Sequence, residues 1–149
     1  MEKLTVQPGD LGNARNLIEE LDTYLLRLYP AESNHLLSIE SLRQPNVTFL
    51  IALFNLKVVG CGAFVNHCGE YGEIKRMFVL PDLRGKGIGL SILKQLENRA
   101  RLAGITLCRL ETGVSQPEAL RLYVRSGYQR RGSFPHTLMI HLVYLWRRI

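Results

Sequence analysis

Lys75-Arg76-Met77-Phe78-Val79-Leu80-Pro81-Asp82-Leu83-Arg84-Gly85-Lys86-Gly87-Ile88-Gly89 reads as a strand, a proline-broken loop and a basic, glycine-rich turn. An amphipathic helix follows directly. Three glycines alternating with Lys86 and Ile88 leave backbone N–H groups uncovered by bulky side chains. If these residues open the helix, those donors and the positive end of its dipole converge on one spot suited to a phosphate. A Walker A loop requires GxxxxGK followed by Ser or Thr, and Gly87 is followed by Ile88. The dinucleotide fingerprint GxGxxG is matched only in its first half. One pyrophosphate cradle at residues 84–89, or a glycine turn without a ligand, remains.

On the N-terminal side, Tyr71 to Val79 alternates, with Glu73, Lys75, Met77 and Val79 expected on one face and Ile74, Arg76 and Phe78 on the other. Before it, Val47–Phe54 and Lys57–Val65 flank Asn55-Leu56 as a hairpin, and Cys68-Gly69-Glu70 turns the chain into the next strand. Residues 3–7 predict a short first strand stopped by Pro8-Gly9. A helix capped by Asp10 and ended by Pro30 follows, then a shorter one over Ser33–Leu42.

On the C-terminal side, Gly89, Ile92, Leu93, Leu96, Ala100 and Ala103 mark the apolar face of a helix from about Gly87. Lys94, Glu97, Asn98 and Arg101 mark its polar face, Glu97 and Arg101 standing at i, i+4, and Gly104 is the expected C′ residue. Leu107–Glu111 predicts a strand. Ser115 and Glu118 form a capping box for a helix that carries Leu120, Tyr123 and Val124 on one face and ends at Gly127. The strand–helix–strand span from 71 to 111 is long enough for a crossover, which lets its two strands lie parallel. The fold class is therefore α/β, with a mixed sheet that is antiparallel first and parallel in the middle.

The chain of 149 residues has the size of one domain, 1–149, with 46% apolar and 21% charged residues. A net charge of +6 suits anionic ligands, but no Lys/Arg stripe interleaved with aromatics points to nucleic acid. Cys61, Cys68 and Cys108 form neither a CxxC pair nor a zinc-type cluster with the histidines, so no metal is expected and a reducing cytoplasm is. No signal peptide or bilayer-spanning run is read, and the expectation is a cytoplasmic protein without membrane association.

Together, Glu73 to Val79, Arg84 to Gly89, Leu110-Glu111-Thr112-Gly113 and Ala119-Leu120-Arg121-Leu122-Tyr123-Val124-Arg125-Ser126-Gly127-Tyr128 resemble the GNAT superfamily of N-acetyltransferases. The turn matches its Arg/Gln-x-x-Gly-x-Gly/Ala motif and the last block its Ala-x-x-Leu-Tyr-x-x-x-Gly-Phe/Tyr signature. The resemblance is dense over residues 47–131. It implies a GNAT-like sheet and acetyl-CoA as acetyl donor. The pyrophosphate would sit on Arg84, Gly85, Lys86, Gly87, Ile88 and Gly89, and the pantetheine arm along Met77, Phe78 and Val79. It also implies direct transfer to a primary amine of a small molecule or peptide. Glu73 is the candidate base, with a structural ion pair to Lys75 as its competing role. Tyr123 is the candidate acid, a phenol with pKa about 10 being matched to a thiolate of about 8.5. A core tyrosine is its competing role. The Val79 N–H is the candidate oxyanion donor and Glu111 a weaker substrate contact.

Two departures stand out. Gln116 occupies the position of the family's cofactor-contacting asparagine. His136 to Trp146 is almost continuously apolar, which reads as a buried strand, a rearranged terminus or an edge that forms a homodimer. His35, His67, His136 and His141 have no carboxylate at motif spacing and are expected in packing or surface roles. A non-catalytic acyl-CoA-binding module is the alternative function. Acceptor specificity is assigned to residues 22–46 and the tail.

Overall fold

The computed structural model describes residues 3–9, 15, 16, 19, 22, 23, 40–113, 117–131 and 142–149. Seven strands make one sheet in the order β1-β2-β3-β4-β5-β7-β6. They are β1 (Leu4–Pro8), β2 (Val47–Phe54), β3 (Lys57–His67), β4 (Tyr71–Val79), β5 (Leu107–Gly113), β6 (Gln129–Arg131) and β7 (Leu142–Arg148). β1 to β4 form an antiparallel meander, β4 and β5 are parallel, and β7 lies antiparallel between β5 and β6. The predicted mixed sheet is the observed one.

Helix α1 (Ile88–Leu102) supplies the crossover between β4 and β5 and lies across β2, β3 and β4. Its Ile92, Leu93, Leu96 and Ala100 are fully buried against Leu50, Ala52, Phe64 and Ile74. Burial of each of the larger side chains contributes about 1.5–3 kcal/mol. At its C-terminus, Gly104 has φ +81 and Ile105 N–H reaches the Ala100 carbonyl at 2.9 Å. This is the C′ glycine turn expected from the sequence. Helix α2 (Pro117–Arg125) ends the same way: Gly127 has φ +93 and Tyr128 N–H bonds the Tyr123 carbonyl at 3.0 Å.

The first predicted helix is represented by helical residues Arg15, Asn16, Glu19, Asp22 and Thr23; its cap Asp10 lies outside the described residues. Most of the predicted 33–42 helix also lies outside them, and Ser41–Arg43 is a single 3-10 turn. Where the apolar tail is described, it is the interior strand β7, with Leu145 only 2% exposed. Among the described residues no helix is long and apolar enough to cross a membrane.

Candidate active site

The site begins with an irregularity in β4. Across the β3–β4 ladder, Cys61 faces Phe78 and Ala63 faces Lys75, so Gly62 alone stands opposite both Arg76 and Met77. This is a β-bulge, and Arg76 occupies it in the left-handed region at φ +58. The buried Arg76 guanidinium is held by Asp22, and the Cys61 thiol donates to the Arg76 carbonyl at 3.2 Å. Burial pushes the Cys61 thiol up to about 12, against the opposing influence of the Arg76 charge.

The extra residue inverts the side-chain alternation. Met77 and Val79 pack with Ile74 against the α1 cluster, while Glu73 and Lys75 pair with each other outside that cluster. The strict alternation expected from the sequence, which grouped Glu73 with Met77 and Val79, is therefore corrected. A period of two holds only while neither strand carries an extra residue.

The bulge also ends the parallel pairing. β4 and β5 are in register at Gly72–Cys108, Glu73–Arg109 and Ile74–Leu110, where the parallel ladder of the described residues ends. Leu80 N–H bonds the Val59 carbonyl at 2.9 Å, so by strand alternation the polar groups of Val79 turn toward the gap. Arg84 Nε meets that Val79 carbonyl at 3.1 Å, and its guanidinium lies 5.6 Å from the Phe78 ring centre.

After the 3-10 turn Pro81–Leu83, the chain reaches Gly85 and Gly87 at φ +82 and +81. A Cβ at either glycine would meet nothing within 4 Å, so both present bare backbone to open space. Gly87 is the N-cap of α1, and no side chain among the described residues caps that end. The N–H groups of the first helical turn are thus left to a ligand or solvent, at the positive end of the dipole.

A cleft of ≈ 800 Å³ runs from the β4 edge across this turn to α2. Met77, Phe78, Val79, Arg84, Gly85, Gly87, Ile88, Gly89 and Tyr123 all line it. Its charged lining is Arg84, Lys94, Arg121, Arg125 and Arg147 against Glu97 and Glu118, an excess of positive charge. Of the remaining sequence candidates, Lys86 is turned to Phe54, its ammonium 5.7 Å from the ring centre, and Gln116 lies outside the described residues. The open glycine backbone, the helix end and the cationic lining fit a pyrophosphate, and the β4 edge beyond its β5 pairing fits an extended amide arm.

Tyr123 is 5% exposed, and its phenol has no hydrogen-bond partner among the described residues. Burial raises its pKa above the ordinary tyrosine value. The Tyr128 ring meets it edge-on, with centroids 5.8 Å apart at 65°. A buried hydroxyl with no partner is costly, by about 1–3 kcal/mol. Glu73 stands apart from the cleft lining. His67 Nε2 lies 3.0 Å from its Oε1 and Lys75 Nζ 3.3 Å from its Oε2. His67 in turn stacks on Tyr71 at 4.5 Å, and the Arg109 guanidinium lies 4.1 Å from the Tyr71 ring centre.

Sequence reasoning missed two partners. The His67–Glu73 contact arises across the β3–β4 hairpin, where Val65 faces Glu73, and becomes readable only once the register around Cys68-Gly69-Glu70 is known. Glu97 is 2% exposed rather than on the polar face of α1, and it pairs with Arg147 at 3.0 Å, not with Arg101. Its signal was present, because position 97 lies one turn after the buried Leu93. Among the described residues no group of three or more His, Cys, Asp or Glu side chains is placed to hold a metal.

Comparison with known proteins gives this geometry a family. The chain is 51% identical over 119 residues to an IAA acetyltransferase of Azospirillum brasilense, spanning 79% of this chain and 78% of that one. The structure of a putative acyl-CoA N-acyltransferase from Klebsiella pneumoniae superposes with a TM-score of 0.81 at 31% identity, covering 99% of this chain and 97% of the other. The structure of yncA, a putative acetyltransferase from Salmonella typhimurium with its cofactor acetyl-CoA, shares the fold with a TM-score of 0.76 at 17% identity, over 97% of this chain and 93% of the other. Residues 14–128 match the family model for the acetyltransferase (GNAT) family, and the chain belongs to that family.

Proposed function

We propose that the protein transfers an acetyl group from acetyl-CoA directly to a primary amine of a small molecule or peptide. The observation that carries the reading is the cleft in which three features meet. These are the stretch of β4 beyond its β5 pairing, Met77–Val79, the α1 terminus at Gly85–Gly89, which no side chain among the described residues caps, and the phenol of Tyr123, which finds no hydrogen-bond partner among them. Acetyl-CoA supplies an activated acetyl thioester there.

The chain's own residues divide the remaining work. The N–H groups of the 84–89 turn and the Arg84 side chain hold the phosphates, and the exposed edge of β4 aligns the arm. The Val79 N–H, turned to the gap, donates to the oxygen on which charge develops. Tyr123 gives a proton to the leaving sulfur. Its raised pKa keeps the phenol protonated at neutral pH, and burial among apolar side chains leaves the ligand as the group available to receive its hydrogen bond. Glu73 accepts the amine proton through a bridging water, because its carboxylate is engaged by His67 and Lys75 and does not line the cleft.

Thermal unfolding with and without acetyl-CoA, followed by thiol release over a panel of amino acids, polyamines and peptides, tests this reading. A rise in midpoint together with amine-dependent thiol release is expected. No rise would refute the donor assignment. A rise without release from any amine would instead favour a non-catalytic acyl-CoA-binding module. With a responsive amine, Tyr123→Phe should lower kcat by about 100-fold while KM for acetyl-CoA stays within about twofold.

A further inference from the structure

We infer that Arg147, Glu97 and Tyr128 form a positioning network that sets the direction of the Tyr123 phenol, so that the chain's last strand governs proton delivery in the cleft. The inference rests on the assignment of Tyr123 as the acid.

Tyr123 has no polar partner among the described residues, so its ring is oriented by packing, and the edge of Tyr128 rests against it. Tyr128 is itself fixed twice. Through the main chain, the left-handed turn at Gly127 bonds Tyr128 N–H to the Tyr123 carbonyl, which brings the two rings together at the end of α2. Through the side chain, its hydroxyl donates to Glu97 Oε2 at 2.8 Å. Glu97 is buried on α1 and receives Arg147 Nη1 at 3.0 and 3.2 Å on its two oxygens. Arg147 comes from β7, where it faces Cys108 of β5, and it lies against Gly127 so closely that a Cβ there would be 3.2 Å from its Nε.

The network thus joins α1, α2 and β7 at the cleft, and Glu97, Tyr123 and Arg147 all line that cleft. A charged hydrogen bond on a tyrosine hydroxyl restrains the ring far more tightly than apolar contact does. Without it, the Tyr128 edge can shift and the Tyr123 phenol loses its fixed reference, while the glycine turn and the β4 edge are untouched. The predicted signature is therefore a loss in turnover with little change in donor affinity.

Kinetics of Y128F, Y123F and the double variant, with an amine that supports turnover, test the network. Y128F keeps the ring edge and deletes the hydroxyl. It should lower kcat about tenfold with KM for acetyl-CoA within about twofold. In the Y123F background the same substitution should change kcat by less than about twofold, because the group it positions is gone. Equal losses in both backgrounds, or no loss from Y128F while Y123F is impaired, would overturn the network and leave the acid assignment standing. An unimpaired Y123F would overturn the acid assignment and the network with it. Should Y128F fold poorly, Glu97→Gln keeps an acceptor for the Tyr128 hydroxyl and gives up the charge facing Arg147. It should lose about threefold in kcat, and an additive loss in the Y123F background again refutes the coupling.

Discussion

Gly62→Ala is the most direct test of how α1 is seated. Gly62 stands opposite the β4 bulge, and a Cβ there would lie 2.6 Å from Met77 Sδ, 2.7 Å from Ile92 Cγ2 and 3.0 Å from Leu96 Cδ1. Contacts that close require something to move. Met77 can swing the end of its side chain aside, but Ile92 and Leu96 are 0% exposed and have nowhere to go without lifting α1. Overpacking of a well-filled core costs about 1–3 kcal/mol, and with one yielding and two rigid neighbours the expected loss is about 2 kcal/mol. For a chain of 149 residues this lowers Tm by about 4–8 °C. Urea unfolding should show a lower midpoint at unchanged m-value. Because α1 carries the glycine turn at its N-terminus, KM for acetyl-CoA should rise more than kcat falls. Adding Met77→Ala removes only the first contact and should not restore stability. A Gly62→Ala protein within about 0.5 kcal/mol of the parent would refute the close seating of α1 on β3.

Three further outcomes are expected. In the β2–β3 hairpin, Asn55 and Leu56 both have positive φ, at 50° and 69°, and Leu56 is 92% exposed. Leu56→Gly should relieve left-handed strain without loss of packing and, net of glycine's greater unfolded-state entropy, raise stability by about 0.5–1 kcal/mol in urea unfolding; a lowered midpoint would contradict this. Arg147→Met leaves the Glu97 carboxylate buried with Tyr128 as its remaining donor among the described residues. With Arg147 itself about one-third exposed, the expected loss is near the lower bound for broken buried pairs, about 3 kcal/mol by thermal or chemical unfolding, and a loss below about 1 kcal/mol would show that the pair is solvated. Burial raises Cys108 to about 11, with Glu97 adding to the effect, and Cys61 to about 12, both well above the ordinary thiol value. Above about pH 9 the unfolded chain therefore releases thiol protons that the folded chain retains. Stability falls with rising pH by up to about 1.4 kcal/mol per unit for each thiol. Unfolding midpoints at about pH 9 and about pH 10 should show the decline, and Cys61→Ala should flatten it; a parent without alkaline decline would contradict the burial.

The geometry of the glycine turn and the helix start after it was legible because it is written in local chemistry. Glycine at φ +82 and +81, an uncapped helix start and a motif of fixed spacing depend on near neighbours in sequence. The crossover that makes β4 and β5 parallel was legible for the same reason, since its length and period are local. What escaped was whatever an inserted residue or a distant strand decides. The bulge at Arg76 could not be read from alternation, because Arg76 is chemically unremarkable in a strand and its positive φ is imposed by the ladder with β3 and the ion pair with Asp22. The pairing of His67 with Glu73 likewise exists only after the hairpin closes.

The apolar tail shows how two separate anomalies of pattern can resolve each other. The described part of that run is β7, which lies between β5 and β6 and so has both hydrogen-bonding edges paired. Arg147 then becomes the exception in an interior strand, as Glu97 is the exception on the buried side of α1. The Glu97 charge is not tolerable alone, since an unpaired buried carboxylate costs several kcal/mol, whereas Arg147 keeps about a third of its side chain exposed. A helix position that is apolar by period but acidic, and an interior strand position that is basic, each call for a partner of the opposite sign. Residues 97 and 147 answer each other, and the hydroxyl of Tyr128 joins them at 2.8 Å. The edge of the Tyr128 ring rests on Tyr123, so in this chain the Tyr128 phenol ties that neighbour to both charges.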